Sequence, residues 1–106
     1  MESINIFGTD YKIILEPSNS NNPKIQACNG YVELYSKEIH LLEVMADEKS
    51  YNDLDLFKRK VLLHELFHAI FHECGLSEYA NDEVLVEFLA LQINKIIKLV
   101  NIANSM

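Results

Sequence analysis

The residues best equipped for chemistry lie within five positions of one another, His64-Glu65-Leu66-Phe67-His68. On a helix His64 and His68 sit one turn apart on the same face, with Cβ atoms about 5–6 Å apart. Two imidazoles at that separation can close on one ion with Zn–N bonds of about 2.0–2.1 Å. Glu65 lies on the adjoining face, where it can hold a metal-bound water and accept its proton. Two ligands and a general base are thus supplied by a single helical turn, the minimum that metal-assisted hydrolysis asks of a helix.

The flanking residues Val61, Leu62, Leu63, Leu66, Phe67, Ala69, Ile70 and Phe71 carry no charge. They predict a helix that is apolar nearly all round and therefore buried. Ionisable groups in such a helix need partners, and a metal ion satisfies two imidazoles at once. A third protein ligand is then required, leaving a fourth position for water. His72 continues the series but lies a further turn, about 5.4 Å, along the axis. It is read as a polar residue at the helix end or a support behind the ligands. The spacing with Gly three and His six residues beyond the second histidine is not met, since Phe71 and Cys74 stand there. The ligand must come from another element. The second long helix offers Glu83 and Glu87, one turn apart on a polar strip shared with Asn94 and Lys98.

The stretch Val61-Leu62-Leu63-His64-Glu65-Leu66-Phe67-His68-Ala69-Ile70, followed by Asn81-Asp82-Glu83-Val84-Leu85-Val86-Glu87-Phe88-Leu89-Ala90, resembles the gluzincins. It is especially similar to their minimal forms and to the ImmA/IrrE-like peptidases of phages and mobile elements. That resemblance implies a zincin-like fold, a Zn2+ cofactor, a glutamate third ligand and hydrolysis of a peptide bond in a peptide or protein substrate. Carried over residue by residue, it makes His64, His68 and Glu83 the metal ligands and Glu65 the catalytic base. Glu87 becomes the acid that orients a ligand imidazole, or the alternative third ligand. Asp82, between Asn81 and Glu83, departs from the family pattern and leaves the register of the two glutamates open. The competing reading is a non-catalytic zinc-binding or interaction domain, against which Glu65 speaks because a structural zinc site has no use for a base.

Those helices need a scaffold, and 106 residues allow one domain, residues 1–106, with a single core. Ile4 and Ile6, then Gly8-Thr9-Asp10 and Tyr11 to Leu15, read as a hairpin. Pro17 to Pro23 reads as a loop whose Ser18 to Asn22 tract is its most mobile part. Tyr31 to Tyr35 and Ile39-His40-Leu41 alternate as a second strand pair. The strand around His40 is expected to be the sheet edge on which an extended substrate pairs. From Asn52 or Asp53, placed as N-cap, a helix runs to Gly75. A second begins near Asn81-Asp82-Glu83, with Leu85, Phe88, Leu89, Ile93, Ile96 and Val100 at helical spacing. The order predicts an α+β fold, a small antiparallel sheet of about four strands followed by two packed helices.

Composition narrows the partners. Apolar residues make up 49% and charged residues 24%, the balance of a globular domain. A net charge of −7 disfavours nucleic acid and anionic membrane, and Lys58-Arg59-Lys60 points in three directions on a helix. Cys28 and Cys74 lack Cys-x-x-Cys spacing and are expected to be free thiols. No leader-like or membrane-spanning run is read from the sequence, so a cytoplasmic location is expected.

Overall fold

A computed structural model describes residues 2–17, 21–27, 29–43 and 51–106. It is an α+β structure: a four-stranded mixed sheet with one long helix packed on its face and a second long helix packed on the first. Strands β1 (Glu2–Ile6) and β2 (Thr9–Glu16) form a hairpin in which Ile6 pairs with Thr9 across a two-residue turn. Phe7 and Gly8 both take positive φ, 49° and 96°. That is the backbone twist which matches the twist of the strands and which glycine adopts without strain. Asn5 braces the turn, its Oδ1 accepting from the Gly8 amide at 3.0 Å and its Nδ2 donating to Asp10 at 2.8 Å.

A short helix, α1 (Pro23–Ala27), follows where only loop was expected. Pro23 opens it, a position where the missing amide costs nothing, and the Asn22 Oδ1 accepts from the Lys24 amide at 3.1 Å. Residues 18–20 of the polar tract, and Cys28, lie outside the described residues. Strands β3 (Gly30–Glu33) and β4 (Glu38–Leu42) complete the sheet in the order β1-β2-β4-β3. β4 pairs parallel with β2 and antiparallel with β3, so the sheet is mixed and not antiparallel as expected. The cause is the β2-to-β3 connection. Its helix α1 buries Ile25 completely and packs on β3 and β4, carrying the chain past one strand position. The turn before Glu38 then returns β4 into the gap. A second correction follows. The strand around His40 is interior, hydrogen-bonded on both sides, and among the described residues β3 is the edge strand nearer the helices.

Alternation sorts the sheet residues by face. Tyr11, Ile39 and Leu41 point to the long helices and are buried, with Ile6 and the helix residue Ala69, as the core. His40 points the other way. There it stacks on Tyr31 at 4.6 Å and lies 2.8 Å from Glu16 and 3.0 Å from Glu38.

Helix α2 (Tyr51–Glu73) carries the histidine pair. It already includes Asn52 and Asp53, which therefore lie inside its first turn and not at the N-cap. Gly75, at φ 76°, ends it: the Leu76 amide donates to the Phe71 carbonyl at 2.8 Å and the Gly75 amide to His72 at 3.0 Å. This paired closure needs a left-handed residue just past the helix. Beyond it come α3 (Ser77–Ala80) and α4 (Glu83–Asn104). The segment around the histidines is less enclosed than its apolar sequence predicts. Glu65 and Ala69 are buried, whereas Val61, Leu62, Leu66 and Ile70 are half-buried against the core. One sheet layer and one helix layer cannot enclose a helix of this length in so small a chain. In α4 the fully buried residues are Val86 and Ala90; Phe88 and Val100, expected to face inward, are exposed.

Two features fix α2 on the sheet. Gly30 faces Val61, where an added Cβ would come within 2.6 Å of the Val61 Cγ1, so only glycine allows the helix this close to β3. At the other end Glu73 accepts from the Thr9 hydroxyl at 2.9 Å, from the Lys37 ammonium at 2.9 Å and from the Tyr11 hydroxyl. Among the described residues no helix is long and apolar enough to cross a membrane.

Candidate metal centre

The closure at Gly75 turns the chain back, and α4 lies beside α2 with its first turn next to the histidines. Asp82 sets the register of that turn. Its extended backbone (φ −88°, ψ 94°) and its side chain, which accepts from the Leu85 amide at 3.0 Å, make it the N-cap. Glu83 is consequently the first helical residue, and Glu87 follows one turn later. The residue that departs from the family pattern is thus the one that starts the helix. A carboxylate at a helix N-terminus is also favoured by the helix dipole.

Four of the residues singled out in the sequence come together here. The Nε2 atoms of His64 and His68 are 3.2 Å apart. Glu83 places one carboxylate oxygen 2.9 Å from the His64 Nε2 and the other 3.1 Å from the His68 Nε2. Glu87 approaches the opposite ring nitrogen, Nδ1 of His64, at 3.4 Å. His72 does not join them: it is absent from the cleft wall, as its extra turn along the axis dictates.

Donor and acceptor accounting shows what this group lacks. The Nδ1 of His68 faces the Ala80 carbonyl, which can only accept, so the proton of a neutral ring belongs on that nitrogen. The Nδ1 of His64 faces the Glu87 carboxylate, with the same consequence. Both Nε2 atoms then present lone pairs, and the third member is a carboxylate. With both rings neutral, three acceptors converge with no donor among them. A cation resolves that conflict. Ligand atoms on a tetrahedron with bonds of about 2.0–2.1 Å stand about 3.3 Å apart, close to the separations of 2.9, 3.1 and 3.2 Å found here. Nitrogen and carboxylate donors in that number suit zinc with one open position.

The Ala80 carbonyl could not be foreseen, being a backbone group at the end of a helix of four residues. It fixes the tautomer and orientation of His68, a support that metal-binding histidines commonly have.

Glu65 lies against the group, with 7% of its surface exposed. Burial pushes its carboxyl up to about 7, a rise opposed by positive charge at His68 and reinforced by the negative charge of Glu83. Glu83, by contrast, is 69% exposed at the mouth. A cleft of about 660 Å3 opens over these side chains, bounded by β3 from Gly30 to Val32 on one side and by Asn81, Glu83 and Glu87 on the other, with Lys60 and Val61 along α2. The chain matches no known protein family, no curated protein and no solved structure.

Proposed function

We propose that the chain is a zinc-dependent peptidase of gluzincin type. The observation supporting this reading is the convergence of three acceptors, His64, His68 and Glu83, beside the buried carboxyl of Glu65. His64, His68 and Glu83 would hold the ion, with Glu87 and the Ala80 carbonyl steadying the two rings. Bound there, zinc supplies a Lewis acid and a water of lowered pKa.

Glu65 acts as the base. Held away from solvent beside the imidazole pair, it takes the proton of the attacking water and returns it to the leaving amine, the work of a general base within reach of that water. The substrate is a peptide or protein segment in extended form. Among the described residues β3, Gly30 to Glu33, is an edge strand alongside the cleft, and pairing with its outer backbone groups presents a peptide bond to Glu65 with little demand on its sequence. The interior position of β4 removes it from this role.

Zinc titration of the metal-free protein, followed by assay of a fluorogenic peptide library with and without chelator, tests the proposal. Wild type is expected to take up one zinc per chain and to cleave in a chelator-sensitive manner. Glu65→Gln should bind zinc equally well and lose on the order of 10²–10⁴ in kcat. Zinc uptake without any cleavage by wild type would leave a metal-binding domain that is not an enzyme.

A further inference from the structure

Helix α4 has a second apolar face that the fold does not use. Viewed down its axis, Val86 and Ala90 point to α2, and on the opposite side Val84, Phe88, Leu91, Lys95, Lys98 and Ile102 form one stripe. The steps between them are 4, 3, 4, 3 and 4 residues, the spacing of a coiled-coil seam. The apolar members, with Leu99 at the stripe's margin, are between 48% and 82% exposed. From Val84 to Ile102 the stripe is about 27 Å long on a helix about 10–12 Å wide. It thus presents roughly 300 Å2 per copy, two lysines included, an area that suits a weak association. No residue of α4 beyond Ala90 is buried, so the second half of the seam is clear of the body of the domain.

We propose that two copies of the chain pair through this stripe, antiparallel, with Val84 of each facing Ile102 of the other. Charge selects both the partner and the direction. The acids of α4, Glu83 and Glu87, lie in its first half and the lysines, Lys95 and Lys98, in its second. A parallel pair would set Lys95 against Lys95 and Lys98 against Lys98 inside the seam. Antiparallel pairing sets Lys98 against Phe88, one residue from Glu87, while the Lys95 stem covers Leu91 and its ammonium reaches outward. Each helix then supplies the countercharge for the other. A lysine in a seam is a known means of fixing orientation at a cost in stability, and here each helix contributes two, Lys95 and Lys98. Since Glu87 also faces His64, pairing brings a cation from one copy to the acid behind the other copy's imidazole.

Sedimentation equilibrium of the full chain, from micromolar to millimolar concentration, tests the pairing. Wild type is expected to be dimeric, and Phe88→Glu, at an exposed position, monomeric with unchanged circular dichroism. Lys98→Glu should weaken the dimer roughly tenfold, and Glu87→Lys added to it should restore affinity. Direction is read from cross-linking under oxidised glutathione, with Cys28 and Cys74 replaced by Ser. Val84→Cys and Ile102→Cys proteins should cross-link when mixed and not alone. A monomeric wild type overturns the proposal, including one that binds neutral or anionic vesicles through α4, as does self-linking of each single-cysteine protein, the mark of a parallel pair.

Discussion

Helix α2 carries two carboxylate clusters, and they are opposites. At its C-terminal end Glu73 accepts from three donors, the hydroxyls of Thr9 and Tyr11 and the ammonium of Lys37. Those hydrogen bonds, Tyr11 first and Lys37 next, hold its carboxyl down at about 2. Two and a half turns earlier, His64, His68 and Glu83 bring three acceptors together with no donor. The first cluster is complete as it stands and ties the helix to the β1–β2 hairpin and to the turn before β4. The second, with its rings neutral, lacks a donor that a cation or a proton on an imidazole would supply. Donors and acceptors therefore balance in one cluster on the helix and not in the other, which a bound cation would complete.

The comparison is broken most severely at the open cluster. Glu83→Gln removes a charged ligand atom from between the two imidazoles, and zinc affinity is expected to fall by more than 100-fold. Glu87→Gln alters only the partner of the His64 Nδ1 and should cost about 10–100-fold, the usual effect of a group that orients a ligand. Competition titration with a chromophoric chelator measures both. Equal losses would show that the two acids share the ion, and a larger loss at Glu87 would exchange their roles.

How much of this was readable beforehand depends on the range of the interaction. His64, Glu65 and His68 declare themselves because a helical turn is local, and their juxtaposition follows from spacing alone. Glu83 and Glu87 stand out together on the polar strip of α4, and only the resemblance puts Glu83 first. Asp82 caps the helix in the structure, which places Glu83 in its first turn beside both imidazoles. The α+β class and the four strands were legible in the alternation of Tyr11, Ile13 and Leu15 and of Ile39 and Leu41. The strand order was not, because the insertion of β4 between β2 and β3 depends on α1 covering the outer face with Ile25, a long-range packing choice. The Ala80 carbonyl was invisible for a different reason: backbone groups carry no sequence signal.

Between the two clusters, the approach of α2 to β3 at Gly30 determines whether the cleft keeps its width. Gly30→Ala places a Cβ 2.6 Å from the Val61 Cγ1 and 3.1 Å from the His40 carbonyl oxygen, contacts that force the helix or the strand to move. Overpacking of this kind costs about 1–3 kcal/mol. Urea denaturation should show that loss with zinc present or absent, and zinc affinity should fall by less than it does for Glu83→Gln. Unchanged stability would mean that the helix rides freely over the strand.

The closed cluster is probed by acid, with a smaller effect. A carboxyl at about 2 in the folded chain and at its ordinary 4.5 when unfolded binds fewer protons folded than unfolded between those values. Its contribution is therefore complete above about pH 5 and disappears as the pH falls through 4.5 toward 2. Glu73→Gln keeps one acceptor oxygen, loses the charge that faces Lys37 and has no proton to take up. It is expected to be less stable than wild type at pH 7 by about 1 kcal/mol, since Lys37 is partly exposed and solvent screens the pair. The gap should close as the pH is lowered, and zinc should leave it unchanged at every pH. A gap that widened in acid, or vanished on adding zinc, would mean that Glu73 is coupled to the metal centre and that the two clusters on α2 are not independent.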